Sequence, residues 1–67
     1  MKSKKERTGI AESAIDKLKI GIERTHKPTI LEAYSMVEDE DFSWNDLDVI
    51  FMQWDSLVDE ANEIVYS

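Results

Sequence analysis

Cysteine is absent from the 67 residues, which excludes disulfide staples, thiolate metal sites and the disulfide-dense scaffolds of many small secreted proteins. There are only two glycines, Gly9 and Gly21, and one proline, Pro28; no glycine-rich phosphate loop is present. No apolar run approaches the roughly 18 residues of a membrane span. The opening Met-Lys-Ser-Lys-Lys-Glu-Arg leads into no apolar segment of the signal-peptide kind. The expectation is a cytoplasmic chain without membrane contact. Internal repeats and low-complexity tracts are also missing. The most informative absence is that of positive charge, because no Lys or Arg follows Lys27.

That absence divides the chain electrically. Before Pro28, eight basic and four acidic residues give +4; from Pro28 onward, eleven acids and no Lys or Arg give −11, for a net −7. Soluble helices usually intersperse the two signs, since opposite charges at i,i+4 stabilise and like charges cost about 0.2–0.5 kcal/mol per pair. Asp55, Asp59 and Glu63 form such an uncompensated line.

The same half carries most of the large apolar side chains. Trp44, Leu47, Phe51, Trp54, Val58, Ala61 and Val65 alternate spacings of three and four, which keeps one seam of a helix apolar for about six turns. Ile50, Leu57 and Ile64 lie beside the seam and widen it. With Ser43 as N-cap and Asp46 three residues on, the pattern predicts one rod from Ser43 to Tyr66, about 24 residues or roughly 36 Å long.

Two shorter helices precede it. Residues 1–7 show no periodicity and are expected to form a frayed basic arm. From Thr8, the residues Ala11, Ile15, Leu18 and Ile22 share a face, with Ala14 beside them and Ile20 pointing away. Gly21 lowers helix propensity by about 1 kcal/mol, which implies either fraying or close packing. Thr25 to Pro28 is the break. Thr29 then opens a second helix with capping-box spacing to Glu32, and Ile30, Ala33, Tyr34 and Val37 form its apolar set. The acidic run Glu38–Asp41 ends it, and Phe42 staples the loop to the rod. The predicted fold is all-α: three helices of unequal length, two shorter ones packed on the long C-terminal one, in a single small domain over residues 1–67.

Catalytic motifs do not emerge. His26 is the sole histidine and belongs to no triad pattern. Asp39, Asp41, Ser43 and Asn45 alternate like the start of a calcium loop, but Trp44 replaces the turn glycine and Ile50 the bidentate glutamate. The expectation is therefore no enzyme, no cofactor and no metal. Lys2, Lys4, Lys5 and Arg7 lack interleaved aromatics and belong to a chain that repels phosphate, so direct nucleic-acid binding is not expected.

Two functions fit the asymmetry. In the first, Asp39, Glu40, Asp41, Asp48, Asp55, Asp59 and Glu63 dock on a basic surface of another protein, occupying Lys and Arg sites that otherwise hold nucleic acid. Small acidic inhibitors encoded by phages or mobile elements are similar in this respect. In the second, the stripe of Trp44, Leu47, Phe51, Trp54 and Val58 is the interface of a homodimeric structural or assembly protein, as its area exceeds what two shorter helices cover. The plain alternative to the first is an acidic face that only keeps a small chain soluble.

Overall fold

Ser3 sets the start of the first helix, α1 (Lys4–Arg24), in the computed structural model, which describes residues 2–67. Its Oγ accepts the Glu6 amide at 3.2 Å and donates to the Glu6 carboxylate at 3.3 Å, so the helix is capped inside the basic segment. The predicted frayed arm is corrected on this point: of residues 1–7 only Met1 lies outside the described residues, and α1 begins at Lys4 where periodicity suggested Thr8. Ala11, Ala14, Ile15 and Leu18 are buried and Ile20 faces solvent, as the spacing predicts.

Thr25 closes α1 in the left-handed region at φ 51°, with its amide turned back to the Gly21 and Ile22 carbonyls. The second helix, α2 (Lys27–Val37), starts two residues ahead of Thr29. Pro28 stands in its first turn, where a missing N–H loses no helical bond. The Thr29–Glu32 capping box does not form. Thr29 Oγ1 pairs with His26 Nδ1 at 2.7 Å, while Glu32 crosses to α1 and meets Lys17 Nζ at 2.8 Å. That hydrogen bond, together with the Lys17 charge, holds the Glu32 carboxyl below the ordinary carboxylate range.

Gly21 marks the closest approach of α1 and α2. A Cβ there would sit 2.7 Å from Ile30 Cγ1 and 3.1 Å from the Ile30 backbone nitrogen, and Ile30 is fully buried. Gly21→Ala is expected to destabilise the fold by about 1–2 kcal/mol through overpacking, even after the helix-propensity gain of about 1 kcal/mol. Gly9, on the same helix, has nothing within 4 Å of its would-be Cβ. Gly9→Ala should therefore raise the melting temperature by about 4–8 °C, the equivalent of ~1 kcal/mol in a domain this small. Paired thermal melts check both signs.

The third helix, α3 (Asp48–Val65), begins five residues after the predicted Ser43. The cause is long-range. In a helix continued back to Ser43, the carbonyls of Ser43 and Asn45 would accept the amides of Leu47 and Val49. Both instead accept the Arg7 guanidinium, at 3.0 and 2.5 Å. Asp46 enters the left-handed region at φ 67°, and the Leu47 amide turns to the Trp44 carbonyl at 2.9 Å. Ser43 is thus a loop residue, its Oγ accepting the Asn45 amide at 3.1 Å.

These starts change which helix organises the fold. At 21 residues α1 is the longest, against 11 for α2 and 18 for α3. Both α2 and α3 pack chiefly on α1 and touch each other least. The three unequal helices stand as predicted, but the C-terminal one is not the longest. Ala14, Ile15 and Leu18 of α1 meet Ile30 and Ala33 of α2 and Trp54 and Ala61 of α3 in the main core. A second cluster, Ala11, Phe42 and Leu47, seals the loop between α2 and α3 against α1.

Candidate partner-binding surfaces

Helical geometry places Asp48, Asp55, Asp59 and Glu63 within an arc of roughly 80° on α3, and all four are exposed. Among the described residues the ion pairs are Lys17–Glu32, Lys2–Asp39 and Lys2–Asp41, and none of them involves an acid of this face. Met52, 69% exposed, falls within this arc, and Val49, 72% exposed, lies just beyond its edge.

The loop acids behave differently. Asp39, Glu40 and Asp41 are exposed too, but Asp39 accepts the Asp41 amide on Oδ1 at 3.0 Å and the Phe42 amide on its carbonyl at 2.9 Å. Lys2 Nζ lies 4.0 Å from Asp39 and 3.8 Å from Asp41, separations at which an exposed pair contributes little. One residue of the basic segment, Lys2, thus lies beside the acidic loop. Of the seven predicted contact residues, the structure groups the four on α3 and gives Asp39 a structural task in its own turn.

The aromatic stripe is split. Leu47 and Trp54 are buried and Trp44 and Val58 half-buried, whereas Phe51 is 40% exposed. Placing Phe51 in the seam assumed a helix running through Trp44; because residues 43–47 form a loop, Phe51 instead meets the Trp44 ring from outside, at 5.2 Å between centroids. Trp54 contacts Tyr34 edge-on at 5.9 Å and Trp44 at 5.6 Å. A single chain therefore covers most of the indole area that suggested a second copy.

A cleft of about 340 Å³ opens between the C-terminal ends of α2 and α3. Tyr34, Trp44, Trp54 and Tyr66 supply aromatic walls, Val37 and Val58 add apolar surface, and Glu38 and Asn62 bring polar groups. Tyr34 donates its hydroxyl to Asn62 Oδ1 at 2.6 Å. Burial, and to a lesser degree the neighbouring Tyr66, pushes the Tyr34 phenol pKa up, so it stays a neutral donor. Sequence patterning missed Tyr34, Glu38, Asn62 and Tyr66 as a group, since they come from three segments. The available signal was a pair of polar tips, Tyr34 and Asn62, at helical positions that otherwise pack inward.

No protein-family model matches this chain, and no curated protein or solved structure is significantly similar to it. Among the described residues no group of three His, Asp or Glu side chains is placed to hold a metal ion, and no helix is long and apolar enough to cross a membrane.

Proposed function

We propose that the protein is a small acidic binding module that docks the outer face of α3 on a basic surface of another protein, of the kind that holds nucleic acid, and so inhibits or regulates that protein. The observation that carries this reading is the set Asp48, Asp55, Asp59 and Glu63, exposed on one helical face and in no ion pair among the described residues. Like charges one turn apart disfavour the helix, and Glu63 also sits toward the negative end of the α3 dipole. A cationic partner reverses both effects. Val49 and Met52 supply the apolar contact that a protein interface adds to charge.

Reversing three charges together tests it. With Asp55→Lys, Asp59→Lys and Glu63→Lys combined, retention of partners from the native cell should fall at least about tenfold, while helicity is kept. Added DNA should displace the same partners from the unmodified protein, and rising salt should weaken the complex steeply. Retention indifferent to the reversal and to salt sinks the proposal.

A second reading draws on Phe51, Met52 and Val49, which leave apolar surface on the N-terminal half of α3. There the protein is a homodimeric assembly element that buries these residues against a second copy. Sedimentation separates the two: Met52→Asp would then dissociate the dimer and the triple reversal would not.

A further inference from the structure

We propose that the aromatic cleft between α2 and α3 receives an arginine side chain of the partner, its guanidinium stacked on the indole surface and held at the edge by the Glu38 carboxylate. The inference rests on the reading that the partner is basic, but it uses residues outside the α3 acidic face. Four aromatic rings and a carboxylate border one opening. Aromatic faces attract cations through their quadrupole, and more strongly when the cation is desolvated. Glu38 is exposed at the end of α2 and enters no ion pair among the described residues. The chain thus holds an anion beside a π surface, and among the described residues no Lys or Arg lines the cleft.

The chemistry narrows the occupant. An anionic ligand would meet Glu38 and a net charge of −7. A purely apolar one would cover the carboxylate without pairing it, which is costly. Among cations, guanidinium suits the site better than ammonium: it is planar and weakly hydrated, stacks on aromatic rings, and its fork matches a carboxylate. A cleft of about 340 Å³ lies at the small end of ligand pockets, a size for one side chain and not for a folded segment. The hydrogen bond from Tyr34 to Asn62 ties α2 to α3 across it, so the walls stand in place before the ligand arrives.

The test uses the full chain, labelled with ¹⁵N, and blocked tripeptides Gly-Arg-Gly, Gly-Lys-Gly and Gly-citrulline-Gly. The arginine peptide should shift the Trp44 and Trp54 indole N–H signals and the Tyr66 amide saturably, with a Kd on the order of 1–10 mM, as befits one side chain. Lysine should bind at least about threefold more weakly, and the uncharged citrulline should leave the indoles unmoved. Glu38→Gln and Tyr66→Ala, both at exposed side chains, should each weaken the arginine response at least about threefold with the fold intact. An equal response to citrulline or lysine overturns the assignment, as does a Glu38→Gln variant that binds unchanged. Shifts confined to the α3 acids, or no shifts at all, do the same. The triple reversal on α3 should leave the arginine response within about twofold, so loss of the cleft assignment and loss of the proposed docking face are seen separately.

Discussion

Trp54→Ala should remove most of the stability of the fold. The indole is 7% exposed and sits where all three helices contribute core residues, against Tyr34 and Trp44. Truncating a buried tryptophan costs about 3–5 kcal/mol, and a chain of this size holds only about 3–10 kcal/mol in total. Loss of helical circular dichroism at or slightly above room temperature is the expected result, with Trp54→Phe recovering more than half of the difference. If Trp54 served mainly as an interface between copies, alanine would instead separate the copies and leave each one helical. Chemical denaturation combined with sedimentation distinguishes the outcomes, and a melting temperature within about 5 °C of the unmodified protein would refute the core assignment.

Arg7→Met should cost about 2–4 kcal/mol even though methionine retains the apolar stem. Arg7 is 8% exposed and its guanidinium donates to backbone carbonyls: Nη1 to Ser43 and Asn45, and Nε to Lys2 at 3.3 Å. Removing it leaves three partly buried acceptors without this donor, and hydrogen bonds to charged groups are among the stronger ones. Arg7→Lys should restore less than half, because a single ammonium does not reproduce the fork that spans three carbonyls. Urea melts give the magnitude. Hydrogen exchange gives the location: the Leu47 amide, bonded to the Trp44 carbonyl in the tethered turn, should exchange faster in either variant. A change below about 0.5 kcal/mol would show that the loop holds itself.

These two residues also show what the sequence discloses and what it does not. Periodicity identified three helices and the buried faces of α1 and α2, because the spacing of Ala11, Ile15, Leu18, Ile30 and Ala33 reflects local geometry. The start of α3 was hidden, since it depends on Arg7, 36 positions before Ser43 in the chain. Ser3-Lys4-Lys5-Glu6 held a readable capping box, masked by the surrounding positive charge. For the candidate surfaces, the acids of α3 follow from spacing alone. The cleft does not, because Glu38, Trp44 and Tyr66 meet only once the loop has folded over.

The tether at Arg7 has a practical corollary for handling the molecule. Residues 2–7 look like a dispensable tail, yet they decide where the acid-bearing helix is allowed to begin. Trimming them, or crowding them with a fusion tag, would disturb the far half of the molecule.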